Sequence, residues 1–211
     1  MDWTKTWLNA FRTELRAEAI GLAYHGWPVV PGTYPDGGTW VGRAESAQNG
    51  PVPLHDDWME QATAGPDKVA ALWSGQPYSL LLATGLVYDV IDMSAAVGRR
   101  TAAVLRTVGF PAPIAATPSG RWLFPVVAGE PLCSDLDAHP EVQLHAHGSW
   151  VPLPPSPFGH GVVHWRVKPD VSGWHVPRST DVQQAVLDAL YTPRLASAST
   201  AVLAATTRSE R

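Results

Sequence analysis

The segment LVYDVIDMSAAVG, residues 86–98, places two carboxylates, Asp89 and Asp92, inside an apolar run. Carboxylates that lie close together can hold divalent metal ions, which stabilise the attacking and leaving oxygens of a nucleotidyl transfer. On a strand such a pair usually stands two residues apart, because successive side chains point to opposite faces of the sheet. Asp89 and Asp92 therefore point to opposite faces if the segment is a strand, and the residue two positions after Asp92 is Ser94.

A second polar pattern lies in EVQLHAH, residues 141–147, where every other side chain is apolar. The alternation predicts a strand with one polar face, formed by Glu141, Gln143, His145 and His147. Two histidines at this spacing can bind one metal ion through imidazole nitrogens, and Asp92 would be a third ligand if the two strands are neighbours. The same pattern is also typical of a half-exposed strand without a ligand, so both interpretations stay open.

Arg121 follows a Ser119-Gly120 turn and is a candidate partner for one of the buried aspartates. A carboxylate in apolar surroundings is costly unless it is paired, so Asp89 or Asp92 should face a cleft or a cation. The guanidinium group is also a natural phosphate ligand, because its planar fork matches two phosphate oxygens. The sequence thus allows either a structural salt bridge or an anion site at Arg121.

Composition excludes several classes of protein. The 211 residues are 45% hydrophobic and 16% charged, as in a globular chain, and a net charge of −4 is unlike that of a dedicated duplex-DNA binder. The single cysteine, Cys133, excludes an internal disulfide and a cysteine-rich zinc site. The chain lacks the Gly-x-Ser-x-Gly, Gly-x-x-x-x-Gly-Lys and Gly-x-Gly-x-x-Gly motifs, which argues against triad hydrolases, P-loop ATPases and Rossmann oxidoreductases. Without a signal-like or membrane-spanning apolar run, we expect a cytoplasmic protein that makes no membrane contact.

Hydrophobic periodicity predicts four helices. They are expected at residues 3–24, at about 66–74, at about 95–108 with Ser94 as N-cap, and in TDVQQAVLDALY from Thr180 or Asp181. Residues 33–54 are rich in turn formers and are predicted to be a long loop. We expect one domain over residues 1–191 and a flexible tail over 192–211.

Strands are predicted between these helices. Single strands are expected in HGWPVVPG, YSLLLATG, LVYDVIDM and HGVVHWRV, and hairpins in PIAATPSGRWLFPVV and in EVQLHAHGSWVPLPP, the second turning at residues 147–149. Because most strands come late in the chain, the order of elements favours an α+β domain over a doubly wound sheet.

Several segments occur in the order found in one known family. They are AIGLAYHGWPVVPG, DDWMEQATAGPDKVAALW, YSLLLATG, LVYDVIDM, ATPSGRWLF and WVPLPPS. From about residue 17 to 168 the chain resembles the N-terminal Prim-Pol domain of bifunctional DNA primase/polymerases, in the archaeo-eukaryotic primase superfamily. The resemblance implies an RRM-like mixed or antiparallel sheet flanked by helices. It also implies template-dependent nucleotidyl transfer with Mg²⁺ or Mn²⁺ held by acidic residues of that sheet.

At the positions that match the family's motifs, this chain departs from the pattern. The family's Asp-x-Asp or Asp-x-Glu pair corresponds to Asp92 and Ser94, and its third acid to Gln143. The family's Ser-Gly-Gly-Arg-His turn corresponds to Ser119-Gly120-Arg121, which we expect to bind nucleotide, followed by Trp122 in place of histidine. The resemblance therefore implies a degenerate primase/polymerase that binds nucleotide or single-stranded DNA, or that serves a protein partner.

Two alternatives remain at this point. One is an active primase/polymerase whose remodelled metal site uses His145 and His147. The other is a small-molecule metalloenzyme built on Asp92, His145 and His147.

Overall fold

The computed structural model describes residues 3–36, 38–43 and 50–191, with side chains from Phe11 onward. The tail predicted for residues 192–211 and part of the predicted loop, residues 44–49, lie outside the described residues. The helices are α1 (Trp3–Tyr24), α2 (Trp58–Gln61), α3 (Pro66–Leu72), α4 (Ala95–Thr107), α5 (Ser134–Asp137) and α6 (Ser179–Tyr191), with a 3-10 helix at Pro169–Ser172. The four predicted helices are α1, α3, α4 and α6.

Twelve strands are found in the part of the chain that the structure describes. They are β1 (Val29–Gly32), β2 (Tyr34–Asp36), β3 (Thr39–Val41), β4 (Ser79–Ala83), β5 (Tyr88–Ser94), β6 (Ile114–Ala116), β7 (Arg121–Val127), β8 (Val142–His145), β9 (Trp150–Pro152), β10 (Pro157–Phe158), β11 (Gly161–Val162) and β12 (His164–Val167). Helices and antiparallel sheets together confirm the predicted α+β class.

A five-stranded antiparallel sheet in the order β12-β6-β7-β5-β8 forms the centre of the domain. LVYDVIDM, which contributes β5, lies between β7 and β8, so Asp92 stands opposite Leu123 on one side and Gln143 on the other. The adjacency of the Asp92 strand and the histidine strand, which the sequence could only suppose, is thus observed.

Helices α4, α5 and α6 cover one face of this sheet. Ile91 and Met93 of β5 point into this helix layer and are fully buried, as is Phe124 of β7. Helix α4 begins directly after β5, where the Ser94 hydroxyl accepts a hydrogen bond of 3.3 Å from the Val97 amide, as predicted for an N-cap. Ser94 is both the last residue of β5 and the N-cap of α4, so the helix begins directly at this end of the strand.

A three-stranded sheet, in the order β1-β4-β9, and helices α1 and α3 pack on the other face. The core between the two sheets contains the fully buried Trp27 and Trp73, together with Leu82 of β4 and Leu123 of β7. The indole N–H of Trp73 donates to the Tyr78 carbonyl at 2.8 Å, so this large side chain is buried with its polar atom paired. Burial of such aromatic side chains supplies much of the stabilisation of a core.

Three predictions about strands were wrong. HGVVHWRV, predicted as a single strand, contains β11, which pairs with β10, and β12, which pairs with β6. The region 33–54 is not wholly a loop, because β2 and β3 pair as a short antiparallel hairpin. EVQLHAHGSWVPLPP is not a hairpin either, since β8 pairs with β5 of the large sheet and β9 with β4 of the small one. The chain therefore crosses from one sheet to the other in the turn after His145.

This crossing brings the turn into close contact with Gly85. A Cβ atom on Gly85, whose φ is +82°, would lie 2.1 Å from the Cα atom of His147. Only glycine fits both the backbone conformation and the space.

In the described residues no helix is both long and apolar enough to cross a bilayer.

Candidate functional site

A cleft of about 220 Å³ opens on the sheet face that carries Asp92. It is lined by Gly50, Pro51, Asp92, Thr117, Ser119, Arg121, Leu123, His145, Trp150, Val151, Pro152 and Phe158. The large sheet supplies its polar floor, and β9 with the neighbouring loops supplies an apolar wall. The cleft thus gathers Asp92, Ser119, Arg121 and His145 from the residues predicted to form a site.

Both carboxylate oxygens of Asp92 are occupied by cationic or potentially cationic partners. Oδ1 accepts from Nε of Arg121 at 2.9 Å, and Oδ2 lies 3.2 Å from Nε2 of His145. Asp92 is 8% exposed, so these two contacts replace most of its hydration. The predicted pairing of Arg121 with an aspartate is confirmed, and Asp92 is the one that it binds.

The turn before β7 fixes Arg121. Gly120 has a φ of +79°, and the hydroxyl of Thr117 accepts a hydrogen bond of 3.2 Å from the Arg121 amide. The Thr117 and Ser119 hydroxyls lie 2.8 Å apart beside the cleft. One terminal nitrogen of Arg121 also donates to the Glu141 carbonyl at 3.3 Å, but its side chain remains 31% exposed. The guanidinium group therefore keeps an accessible edge that an anion can reach.

His145 joins Asp92 to a residue that the sequence analysis did not single out. Its Nδ1 lies 3.1 Å from the hydroxyl of Ser149, while Nε2 faces Asp92. The order Ser149–His145–Asp92 resembles a nucleophilic triad, but Ser149 does not line the cleft and Asp92 is also bound by Arg121. The contact with Ser149 holds the imidazole in place beside Asp92. A serine four residues after a strand histidine, across a turn, is a weak signal in sequence.

His147 does not join this site. Strand β8 ends at His145, and His147 lies in the following turn, where it lines a separate cavity of about 290 Å³ together with Asp89. No group of three or more His, Cys, Asp or Glu side chains in the described parts of the chain is arranged to hold a metal ion. The predicted metal set of Asp92, His145 and His147 is therefore not assembled.

Asp89 faces the helix layer, opposite to Asp92. It is 3% exposed, and its Oδ2 accepts a hydrogen bond of 2.9 Å from the Gly129 amide. Its other oxygen, Oδ1, is buried with no partner among the described residues. The three-residue offset along β5 thus separates the two carboxylates, as strand alternation requires.

Ser94, Gln143 and Trp122, which replace the acids and the histidine of the resembling family, each have a different position in the fold. Ser94 caps α4, and Gln143 is an exposed residue of β8 opposite Asp92. Trp122 points into the helix layer against Gly98, where an added Cβ would lie 2.8 Å from the Trp122 Cβ. The residue of β7 that reaches Asp92 is Arg121, so Trp122 does not stand in for a histidine in the cleft.

These residues do not fit a pair of divalent metal ions. Among the described residues that line the cleft, Asp92 supplies the single carboxylate; its two oxygens are engaged, and a guanidinium group occupies the adjacent position. Dications of the Mg²⁺ type prefer several oxygen ligands that carry negative charge. Arg121 would repel them at short range.

Aromatic side chains form the other wall of the cleft. Trp150 donates its indole N–H to the Pro51 carbonyl at 3.4 Å, and its ring meets Trp58 edge-to-face at 5.4 Å. Phe158 stands further along the same lining. Rings held in this way give a flat or planar ligand an apolar surface to contact.

Comparison with protein families agrees with the fold and the order of motifs. The family described as "Bifunctional DNA primase/polymerase, N-terminal", or Prim-Pol, matches residues 19–185. This chain belongs to the Prim-Pol family, as its sequence resemblance implied. No curated protein matches it in sequence.

Proposed function

We propose that this chain is a catalytically degenerate Prim-Pol domain that binds nucleotide or single-stranded nucleic acid in the Asp92–Arg121 cleft. The observation that carries the proposal is the engagement of both Asp92 oxygens by Arg121 and His145. A carboxylate oxygen can accept more than one contact, but a metal ion at Asp92 would have to displace or approach closely the guanidinium of Arg121 and the imidazole of His145. Here the one acid retained at the matching positions is part of a structural network instead.

The charge of the side chains around Asp92 also supports a site that binds without catalysis. Metal-assisted nucleotidyl transfer brings two dications and a triphosphate together, and their charges are balanced by carboxylates and cationic side chains. Ser94 and Gln143 are neutral, so the site has too little negative charge to hold the metals. Arg121 supplies positive charge, which favours a phosphate over a metal ion.

Binding follows from the two walls of the cleft. The accessible edge of Arg121 and the Ser119 hydroxyl would receive a phosphate group, while Trp150 and Phe158 offer apolar surface to a base. Stacking on a base does not depend strongly on its identity. We therefore expect little sequence preference.

Binding of a fluorescent deoxynucleoside triphosphate and of labelled oligothymidylate, followed by anisotropy, tests the proposal. Arg121→Gln should weaken binding at least about tenfold, since a charge-assisted hydrogen bond contributes about 1.5–3 kcal/mol. The exposed Arg100 of α4, changed to glutamine, is the matched control and should bind as the wild type does. Absence of binding by the folded wild-type protein, or equal weakening by both substitutions, would refute a specific role for this cleft.

A further inference from the structure

A second groove lies on the helix side of the large sheet, remote from the Asp92 cleft. It has a volume of about 290 Å³ and is lined by Ala102, Leu105, Arg106, Gly109, Phe110, Pro111, Ala112, Ile114, Val167 and Val171. Helix α4 and the connection to β6 form one wall, and the end of β12 with the 3-10 helix forms the other. Arg106 is the one charged residue among the described residues of this lining.

Apolar side chains are unusually exposed around this groove. Of the lining residues, Val171 is 65% exposed and Phe110 41%, and Val108, which precedes Gly109 of the lining in the chain, is 62% exposed. Exposed apolar residues are ordinary when scattered, but a contiguous group around a concave surface marks a site of interaction. The groove is therefore a candidate docking surface.

Arg106 lines the groove, Arg166 and Lys168 flank its lining residue Val167 in the chain, and Arg99 precedes Arg106 on α4; we call these four cations the basic rim. Arg99 and Arg106 lie on the same side of α4, because seven residues complete almost two helical turns. Across from them, the register of β12 shifts between Trp165 and Val167. The guanidinium of Arg166 lies 5.2 Å from the ring centroid of Trp122, which itself packs against α4 at Gly98.

The basic rim has free charge. Within the described residues, none of its four members forms an ion pair with a carboxylate, whereas Arg43, Arg121 and Arg178 do. Within residues 99–114 and 164–171, the two segments that supply the groove lining, Asp170 is the one acid. The chain as a whole carries a net charge of −4, so this basic area contrasts with the rest of the protein.

We propose that this groove and its basic rim bind an acidic peptide segment of a partner protein, with apolar side chains of the peptide in the groove. Carboxylates on either side of those anchors would pair with Arg106 and Arg166. Complementary charge would speed association and fix the direction of the peptide, while the buried anchors would supply most of the affinity.

The lining favours a peptide over a nucleic acid. Apart from Phe110, the groove walls consist of aliphatic, proline and glycine residues together with Arg106, which suit a leucine or phenylalanine side chain. Single-stranded nucleic acid is usually bound by several aromatic side chains that stack on successive bases. This proposal does not depend on nucleotide binding in the Asp92 cleft, which lies on the opposite sheet face.

The test uses the full chain and a short fluorescein-labelled peptide in which aspartates flank a Leu-Phe pair, with binding followed by anisotropy. Arg106→Glu and Phe110→Ala should each weaken binding about tenfold, the equivalent of about 1.4 kcal/mol. Arg100→Glu is the matched control, because Arg100 is an exposed arginine of the same helix that points about a third of a turn away from Arg106. It should leave binding unchanged, and circular dichroism should show all three variants folded.

Three results would overturn the proposal. One is no binding of the aspartate peptide by the folded wild-type protein. Another is equal binding of a peptide with lysines in place of the aspartates. The third is loss of oligothymidylate binding in Arg106→Glu while peptide binding is unaffected, which would assign the surface to nucleic acid.

Discussion

Replacement of Asp92 by asparagine tests whether its carboxylate has a structural or a catalytic role. In the structure Asp92 makes two charge-assisted contacts, at 2.9 Å to Arg121 and at 3.2 Å to His145. Asparagine has nearly the same shape and retains one acceptor oxygen, but it removes the charge that holds both partners. We therefore expect Asp92→Asn to lower the free energy of unfolding.

The size of the effect follows from burial. Hydrogen bonds to charged groups contribute about 1.5–3 kcal/mol each, and loss of one partner of a fully buried ion pair costs about 3–5 kcal/mol. The side chains of Arg121 and His145 are 31% and 19% exposed, so water compensates for part of the loss. A decrease of about 2 kcal/mol results, which for a chain of this length lowers Tm by about 4–8 °C.

Equilibrium unfolding in urea near neutral pH measures this change, with Asp89→Asn as the matched control on the same strand. Asp89 keeps its hydrogen bond from Gly129 when it becomes asparagine, and its Oδ1 has no partner to lose among the described residues. Because Asp89 is 3% exposed, removal of its charge relieves the cost of burying an unpaired carboxylate oxygen, so this substitution should not lower stability as Asp92→Asn does. An Asp92→Asn protein as stable as the wild type, or more stable, would refute the reasoning and restore Asp92 as a free metal ligand.

Three further predictions concern the elements that position the site. Gly85→Ala should destabilise the protein by more than about 3 kcal/mol in thermal unfolding, because the added Cβ meets the backbone of His147. In the same assay Gly109→Ala, at a positive φ with open space around it, should cost only about 1 kcal/mol. Ser94→Ala should lower the free energy of unfolding by about 1 kcal/mol through loss of the α4 cap, whereas Ser94→Asp should retain the wild-type stability. Equal stability of the two variants in urea unfolding would contradict the role of Ser94 as a cap. Burial raises the pKa of Tyr88 above its usual 10.0, so its stabilising contribution is present below about pH 10 and is lost as pH rises through the folded pKa. The wild type should therefore lose more stability than Tyr88→Phe between about pH 9 and about pH 11. Identical losses in the two proteins would contradict this.

Helices and the main strands were predictable because each carries its own local signal. The Ser94 cap ends an apolar run of strand length that marks β5, and Pro66 opens α3 where its missing N–H costs nothing. Such signals depend on neighbours in sequence. They do not require knowledge of the tertiary structure.

The path between the two sheets could not be predicted from local pattern. Residues 147–149 look like a hairpin turn between two strands, yet β8 and β9 pair with β5 and β4 in different sheets. Which partner a strand takes depends on the apolar core that it joins, and Val151 belongs to the core between the sheets. A short strand with a turn before it is compatible with either arrangement.

The same turn explains how much of the candidate site was predictable. Strand periodicity correctly separated Asp89 from Asp92, and the chemistry of a buried carboxylate pointed to Arg121. Extension of that periodicity to His147 was wrong, because the strand ends at His145. Ser149 was missed because its contact with His145 arises from the turn.

Primer synthesis on a single-stranded DNA template tests the central claim most directly. The purified chain would be given labelled deoxynucleotides with Mg²⁺ or Mn²⁺, with Asp92→Ala run in parallel to exclude a contaminating polymerase. If both oxygens of Asp92 are held by Arg121 and His145, the folded protein should make no product with either metal while still binding nucleotide. Template-dependent product that disappears in Asp92→Ala would contradict this and show that the cleft is catalytic.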